Sequence, residues 1–489
     1  MSTNLLESPV PTGFAIGARG LRQWTSPTRL KAWTALVAVL TAILALIAVM
    51  TVGGLRGGIG EIGGTAGPEV ENTAALAGTL SDLDAQVANL LLAGKDPALA
   101  STAKAAAAQF TADQTSINAT LQSAIAAAGS AAQTRQSVQA LLNGLAQYEG
   151  EVADVRLLES QSPGVAGRPD AAVLAEYHLA TDQMRNTLIP AADALITTND
   201  NELNSTYISQ RSSAQDTLWL LAGIGVLLVL ALVLFQLYLT RAYHRVLNPF
   251  LAAAAVVALL LTALSVSLMH NEVNKLTVAK VDAFNSVIAL TQAQAVSSEA
   301  NADESRYLVD PGRAAQYQQD FENESQELLN LGPGVTYSSY QSALSAAVAK
   351  IPNPPPAFDS ANVAFGGYLG TELDNITFSG EGPAALAATQ AYQAYEQADR
   401  VLRQTAQSGN LTGAIAFDTG SGPNQSDGIY TDYLTKLHKV TTINEDAFAS
   451  SAGSALDSLG AWTILPIVGA LLILALTILG VRPRLAEYQ

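Results

Sequence analysis

The distribution of apolar residues along the chain predicts four membrane-spanning helices. Four segments of 20 to 22 residues contain no Asp, Glu, Lys or Arg, namely Ala32–Val52, Leu218–Leu239, Pro249–Met269 and Trp462–Val481. A helix of about 20 residues, at about 1.5 Å rise per residue, crosses a hydrocarbon core of about 30 Å. Segments of 165 and 192 residues follow the first and third spans, whereas only 9 residues join the second span to the third. Most of the chain therefore lies in two long segments, 53–217 and 270–461.

Both long segments have the composition and spacing of helices. They are rich in Ala, Gln, Ser and Leu and contain long stretches without Gly or Pro. The predicted helices are 72–95, 101–127, 130–157 and 170–217 in the first segment, and 270–308, 312–330, 338–350, 357–372, 382–409 and 427–461 in the second. The one weak strand signal is at Gly413–Phe417. The predicted fold class is all-α, an integral membrane protein with four transmembrane helices and two tandem extracytoplasmic helical bundles.

The basic residues beside the spans predict the orientation, because Lys and Arg close to a span are retained in the cytoplasm. The three short segments together carry a net charge of +6, and the two long segments carry −23. The predicted order is cytoplasmic segment 1–31, span 32–52, outer bundle 53–217, span 218–239, cytoplasmic loop 240–248, span 249–269, outer bundle 270–461, span 462–481 and cytoplasmic tail 482–489. We therefore expect a multi-pass protein of the cell membrane with both termini in the cytoplasm. The acidity of the long segments argues against nucleic acid as a partner.

The two long segments resemble each other at both ends. About 40 residues after the first and third spans, a predicted helix closes with apolar residues and a breaker, at Leu90–Gly94 and at Leu308–Gly312. Asn201 and Asn444 stand at similar distances before the second and fourth spans. This pattern predicts a tandem duplication of a unit made of span, helical bundle and span; the alternative is two unrelated Ala-rich bundles.

The helices that join the spans to the long segments are predicted to continue without a break. Val273, Leu276, Ala283, Val287 and Leu290 recur at heptad spacing on one helix face. At the short loop, Asn248 and Pro249 have the residue types of an N-cap and first helical position. A displacement of an outer helix would then be felt at the cytoplasmic loop.

The sequence contains no motif that indicates catalysis, a metal site or a cofactor. It has no Cys, and its four His residues lack the spacing of a zinc site. Neither a Gly-x-Ser-x-Gly elbow nor a phosphate-binding loop is present. The spans also lack the charged residues that transporters bury at mid-membrane. We therefore expect a protein that is not an enzyme and holds no cofactor.

A few basic residues are candidates for binding. Arginines on predicted helices can hold a ligand carboxylate through a bidentate fork, and these are Arg156, Arg185, Arg306, Arg400 and Arg403. Arg306 is the preferred candidate, and the alternative is a surface ion pair. Carboxylates such as Asp82, Asp84, Asp303 and Glu304 are interpreted as solvated helix faces. A cytoplasmic partner would contact Arg241, Arg245, Arg482 and Arg484, although topology explains their charge equally well.

The layout resembles two groups of known proteins. A span, an external bundle whose first helix closes at Gly94 or Gly312, and a second span resemble the four-helix-bundle sensory modules of chemoreceptors and sensor kinases. The tandem arrangement with short cytoplasmic segments is similar to the actinobacterial GlnX-type membrane proteins. That resemblance implies a relay from an extracytoplasmic solute-binding lipoprotein for amino acids to a cytoplasmic Ser/Thr protein kinase. The alternatives are a direct small-molecule receptor, and an envelope scaffold or accessory subunit of a transport complex.

Overall fold

A computed structural model of the protein describes residues 26–128, 132–243, 247–355 and 363–486. Helices make up 87% of the structure. Within the described ranges no strand occurs, and the β-type pairing consists of two isolated bridges, Val165 with Arg168 and Asn330 with Gly366. The predicted all-α fold class is confirmed.

Four helical stretches are long and apolar enough to cross a membrane, as the sequence predicted. They are Pro27–Ala93, Ala171–Ala242, Pro249–Val309 and Ser426–Leu485, with 60 to 72 residues each. At about 1.5 Å per residue, each stretch is at least about three times as long as a hydrocarbon core is thick. Large apolar side chains in the predicted spans are exposed, among them Leu46, Met50, Trp219 and Leu471. Exposed apolar surface of this extent is typical of contact with lipid.

The helices of the first half are α1 (Ser26–Glu61), α2 (Gly67–Ala93), α3 (Ala100–Ala127), α4 (Ala132–Gln161), α5 (Ala171–Gln183) and α6 (Ile189–Tyr243). Those of the second half are α7 (Pro249–Thr277), α8 (Asn285–Val309), α9 (Ala314–Leu328), α10 (Tyr337–Val348), α11 (Gly367–Asp374), α12 (Glu381–Gln407), α13 (Leu411–Asp418), α14 (Ser426–Ala461) and α15 (Leu465–Ala486). Three π-helical segments join neighbouring helices, at Ile62–Ala66, Met184–Leu188 and Val278–Phe284. Helix α7 begins at Pro249 as predicted, and Asn248 caps it because its Oδ1 accepts from the amide of Phe250 at 3.1 Å.

The chain divides into two compact units. The span unit contains the described residues within 1–55, 213–271 and 458–489. The bundle unit contains Arg56–Ser212 and Glu272–Asp457, so that both long segments belong to one unit. Its first core cluster mixes the two segments, since Leu308, Val309 and Ile415 pack among residues of α2 to α6. A second cluster is built from residues 290–440 alone.

Helices α2 and α8 lie side by side and parallel at the centre of the bundle unit. Hydrogen bonds between three residue pairs join them, from Ser81 to Glu299, from Arg306 to Asp84 and from Ser305 to Asn89. The two residues of each pair are 216 to 222 positions apart in the sequence. A nearly constant separation along both helices requires that they run in the same direction. Gly78 allows the close approach, because a Cβ there would lie 3.2 Å from the Cα of Ala295.

The helix pair carries the signature of an internal repeat. The π-helical segments that precede α2 and α8 begin at Ile62 and Val278, and the helices end at Ala93 and Val309. Both separations are 216 residues. The halves have diverged at the C-cap, where Gly94 adopts a positive φ of 53° and Asp310 has φ −125°. These matching positions support the duplication that the sequence suggested.

The predicted contact face of the third span's extension is confirmed. Val273, Leu276, Ala283, Val287 and Leu290 are all buried in the bundle unit. The helix continues through this region as predicted, although it widens to a π-helix over Val278–Phe284. The first span likewise continues through Ile62–Ala66 into α2, well before the predicted helix start at residue 72.

Two local predictions were wrong. The predicted helix 357–372 is not helical at 363–366, because Gly366 exchanges two backbone hydrogen bonds with Asn330 and Gly367 has a φ of 82°. The part of that prediction at 357–362 lies outside the described residues. The weak strand signal at Gly413–Phe417 falls inside α13, which begins where the Asn410 side chain accepts from the amide of Gly413 at 3.0 Å.

Candidate functional site

Arg306 lies at the centre of a buried charge network between α2 and α8. Its side chain has no exposed surface. Its Nη2 and Nε donate to Oδ2 of Asp84 at 2.9 and 3.1 Å. Its Nη1 donates to Asp303 at 2.7 Å and to Glu299 at 3.2 Å. All three guanidinium nitrogens are thus bound by carboxylates of the protein itself.

Asp84 connects this network to two further helices. Its Oδ1 accepts from the hydroxyl of Tyr148 in α4 at 3.0 Å, and its Oδ2 accepts from Thr181 in α5 at 2.5 Å. Asp84 is fully buried, so these donors and Arg306 replace the water that a carboxylate requires. The residues that Asp84 joins come from both long segments. The network therefore holds the two halves of the bundle unit together.

The electrostatics of the network are unevenly balanced. Burial raises the pKa of Asp303 to about 6, although Arg306 and Arg185 oppose this shift. Burial also acts to raise the pKa of Glu299, but Arg306, a hydrogen bond from Ser81 and Arg185 outweigh it, so that the pKa is lowered. Glu299 is therefore the carboxylate that remains ionised beside the two arginines. Asp303 takes up a proton as the pH falls through about 6.

The sequence-based interpretation of this region needs correction. Asp84, Asp303 and Glu304 were expected on solvated helix faces, but their side chains are fully buried. Periodicity misplaced them because helices of the two long segments pack against each other and cover faces that would be exposed in a single bundle. Arg306 forms ion pairs, but in the interior rather than at the surface. A ligand-binding role for Arg306 stays a prediction, and the carboxylate that its fork holds here is that of Asp84.

Two ion pairs and one hydrogen bond between a histidine and a carboxylate continue the contact between the two halves. The pairs are His178 with Asp310 at 2.7 Å, Arg185 with Asp320 at 2.6 Å and Arg313 with Asp182 at 2.6 Å. In each pair, one residue belongs to α5 or the following π-helical segment and the other to α8, α9 or the turn between them. Arg185 lies within the π-helical segment Met184–Leu188. Such segments are rare and are frequent at functional sites.

Beside these pairs the bundle unit contains an open cleft, which we call the acidic cleft. Its volume is about 380 Å³. Six carboxylates line it, those of Asp182, Asp193, Glu299, Asp320, Glu324 and Glu327. The one cationic residue among its lining residues is Arg185. The cleft is therefore strongly negative, and it lies between residues of both long segments.

A second buried arginine, Arg403 in α12, is held differently. Its Nε donates to Asp399 at 2.7 Å, whereas its Nη1 and Nη2 have no hydrogen-bond partner in the described part of the chain. The guanidinium instead lies over the rings of Tyr307 and Phe321, 4.4 and 5.0 Å from their centroids. Cation–π contact of this kind stabilises a desolvated cation. Arg403 thus belongs to the packing of the second half.

The remaining predicted arginines occupy varied positions. Arg156 is exposed, and Arg400 contacts both the ring and the backbone carbonyl of Tyr337. Of the predicted cytoplasmic contacts, Arg241 and Arg482 are exposed, and Arg245 lies outside the described residues.

Arg484 is partly buried and lines a groove of about 240 Å³ in the span unit. Gln236 lines the same groove, and both polar atoms of its side-chain amide are buried without a partner among the described residues. Asn248 fixes one wall by donating to the carbonyl of Gly480 at 2.7 Å. Two of the four predicted contact residues thus present free surface, and a third belongs to this groove.

Comparison with known proteins adds one finding to this geometry. Residues 58–208 match a protein family described as an actinobacterial sensor domain. The matched region begins in α1, ends in α6 and contains Asp84 and Arg185. It covers less than a third of the 489 residues and supports an actinobacterial sensor membrane protein with a sensory role. A search among curated proteins finds no match.

The sequence pointed to part of this site only. Arg306 and Arg185 were among the candidates because arginines are scarce in acidic helices. Asp84, Glu299 and Glu324 were missed as site residues, and only Asp84 carries a signal in the sequence, an acidic residue on an otherwise apolar stripe. For Asp84 that stripe is Leu80, Leu83, Val87 and Leu91, all of which are buried. A charge at such a position indicates a buried partner.

Proposed function

We propose that this protein is a transmembrane signal relay. The bundle unit recognises a solute-binding protein or an amino-acid ligand outside the cell, and the short segments pass the change to a cytoplasmic partner. Both termini and the loop 240–248 then lie in the cytoplasm, as the distribution of Lys and Arg predicts. Catalysis, where the pathway needs it, belongs to the partner.

The continuity of the helices is the observation that carries this proposal. Helix α6 runs without interruption from Ile189, which lines the acidic cleft, to Tyr243 beyond the second predicted span. The match of residues 58–208 to a sensor domain covers most of the first long segment. A ligand shifts such a helix only if it binds one arrangement of the bundle better than another. The acidic cleft and the buried network, both at the contact of two halves, are places where such a difference arises.

The partners follow from the resemblance noted in the sequence. Outside, a solute-binding lipoprotein for amino acids would dock on the bundle unit. Inside, a Ser/Thr protein kinase would contact Arg241, Arg245, Arg482 and Arg484. The acidic character of the bundle unit and the basic character of the cytoplasmic segments require partners with different surfaces.

The relay is tested in cells of its own host. One strain carries the wild-type protein, a second lacks residues 482–489 and carries Arg241→Gln and Arg245→Gln, and a third carries the control substitution Lys436→Gln on an exposed part of α14. Phosphorylation of cytoplasmic proteins is measured by mass spectrometry before and after amino acids are supplied, and protein amounts are compared by immunoblot. We expect the response to be lost in the second strain alone.

A response that survives in the second strain at normal protein levels would contradict the relay. The alternative function, an envelope scaffold or accessory subunit of a transport complex, gives another pattern. Deletion of the protein would then slow uptake of a labelled amino acid and leave the phosphorylation response unchanged. Crosslinking in membranes followed by pull-down identifies the partner on each face in either case.

A further inference from the structure

The acidic cleft has an excess of negative charge that the protein does not neutralise. Three of its six carboxylates are paired with arginines, because Asp182 binds Arg313, Asp320 binds Arg185 and Glu299 binds Arg306. The other three, Asp193, Glu324 and Glu327, form no ion pair with any described residue. Burial raises the pKa of each of them, and neighbouring carboxylates, Glu299 in every case, raise it further. Three carboxyl groups of the cleft therefore have no basic partner among the described residues.

Glu324 gives the cleft a buried carboxyl group without a partner among the described residues. The residue is 9% exposed, it lines the cleft, and its Oε2 accepts no hydrogen bond from any described residue. Buried polar atoms in native proteins normally have a partner, so an unpaired carboxyl oxygen on a residue that lines a cavity indicates that a donor from outside completes the site. Asp193 and Glu327 are exposed and stand at the rim. Unpaired carboxyl groups are thus present both inside the cleft and at its mouth.

The charges are spread along the cleft. Asp320, Glu324 and Glu327 lie on α9 at intervals of four and three residues, which places them on one face of the helix. At about 1.5 Å rise per residue they extend over roughly 10 Å. No group of three or more His, Asp or Glu residues in the described ranges is arranged to hold a metal ion. A ligand with several separated positive charges matches this arrangement better than a single ion.

The rest of the lining is suited to an alkyl chain. Ala77, Ile189, Ala295 and Val296 contribute apolar side chains between the carboxylates. Asn186 and Arg185 come from the π-helical segment, whose irregular backbone changes the direction of side chains along α5 and α6. Methylene groups pack against such a surface while amino groups reach the carboxylates.

We propose that the acidic cleft binds a linear polyamine, an organic cation with two or more protonated amino groups separated by methylene chains. One amino group binds Glu324, and the others bind Asp193 and Glu327 at the rim. This inference rests on the proposed sensory function and adds a polyamine to the ligands proposed above. A polyamine bridges α9 of the second half and α6 of the first, so binding stabilises one arrangement of the two halves.

Binding is measured by isothermal titration calorimetry of the full-length protein in nanodiscs, with spermidine as the probe. Putrescine, glutamate and Mg²⁺ are titrated in parallel. We expect spermidine to bind with 1:1 stoichiometry, glutamate not to bind, and Mg²⁺ not to compete at equal concentration. Glu324→Gln should raise the dissociation constant for spermidine at least about tenfold. Glu322→Gln removes the same charge from the same helix outside the cleft lining, and it should leave the affinity unchanged.

The exposed rim supplies a second variant whose folding is not in question. Asp193→Asn combined with Glu327→Gln should also weaken spermidine at least about tenfold. Spermidine affinity that is equal in the wild-type protein and both cleft variants would overturn the proposal, as would equal competition by Mg²⁺. A normal cytoplasmic phosphorylation response in a protein that does not bind spermidine would contradict the polyamine proposal and leave the proposed relay function intact. Spermidine binding without any phosphorylation response would contradict the relay function and support the polyamine proposal.

Discussion

Removal of Arg306 should separate the two halves of the bundle unit. The substitution Arg306→Met keeps a long unbranched side chain but deletes the cation that Asp84, Asp303 and Glu299 share. Asp84 and Asp303 then remain in the interior without an ion-pair partner, and Glu299 keeps only Arg185. The variant tests whether this network, rather than the apolar core alone, fixes the α2 and α8 pair.

The magnitude follows from the contacts. Breaking a buried ion pair by deleting one partner costs about 3 to 5 kcal/mol. Asp84 keeps its donors Tyr148 and Thr181, which reduces the cost. Asp303 already has a pKa of about 6 beside Arg306, so its protonation in the variant near pH 7 costs little free energy. Glu299 loses Arg306, the stronger of its two cationic neighbours, and keeps Arg185. We therefore expect a loss of about 3 kcal/mol at pH 7, near the lower end of that range.

The assay is hydrogen exchange with mass spectrometry on the full-length protein in nanodiscs, read on peptides from α2 and α8. The free energy of opening of these helices should fall by the stated amount in Arg306→Met. The control Lys436→Met breaks the exposed pair with Asp432 and should change protection by less than about 0.5 kcal/mol. In the double variant Arg306→Met with Asp84→Asn, the free energy of opening should fall by less than the sum of the losses in the two single variants, because Arg306 and Asp84 contact each other.

The pH dependence provides the sharper criterion. In the variant the uncompensated carboxylates bind protons in the folded state more readily than in the unfolded state, so its stability recovers as the pH falls from 7 to 5. The reasoning would be refuted if α2 and α8 were protected from hydrogen exchange equally in Arg306→Met and in the Lys436→Met control at pH 7. A loss that is the same at pH 5 and pH 7 would show that packing, and not charge, causes it.

Three further predictions concern other parts of the molecule. Spermidine affinity should rise with pH and binding should release protons, because the three unpaired carboxyl groups of the acidic cleft have raised pKa values that a bound cation lowers. Calorimetry in buffers of different ionisation enthalpy measures the number of protons released. Binding without proton release would contradict this prediction. Burial beside Glu381 raises the pKa of Glu372 to about 8, so the free energy of unfolding of the wild-type bundle should fall by up to about 4 kcal/mol between pH 5 and pH 8. In Glu372→Gln the midpoint of thermal unfolding should depend less on pH over that range. In the span unit a Cβ at Gly225 would overlap the side chain of Thr262, whereas Gly223 has open space; Gly225→Leu should lower stability in detergent by about 1 to 3 kcal/mol and Gly223→Leu should not.

The spans and most helices could be predicted because their signals are local. Uncharged runs of about 20 residues identify a span without any knowledge of the fold. The cap at Asn248 and the buried face from Val273 to Leu290 also depend on residues close in sequence. The helix predicted at 357–372 failed where a contact with Asn330, more than 30 residues away, imposed an extended backbone at Gly366.

The candidate site could be predicted only in part because its contacts are not local. Arg306 stood out by its rarity, but Asp84 lies 222 residues away and nothing in the intervening sequence indicates that they meet. The acidic cleft likewise needs α6 and α9 to be adjacent. The π-helical segments were not foreseen either, since their apolar spacing differs little from that of an α-helix over five to seven residues.

The parallel pair of α2 and α8 has a consequence for how the protein assembles. When two such helices belong to separate polypeptides, their association follows mass action and depends on how much protein the cell makes. Here one polypeptide carries both, so the pairing is an intramolecular event with a high and fixed effective concentration. The fraction of paired molecules is then independent of gene expression. Each half is also free to accumulate its own substitutions, because a change on α8 has no obligatory copy on α2.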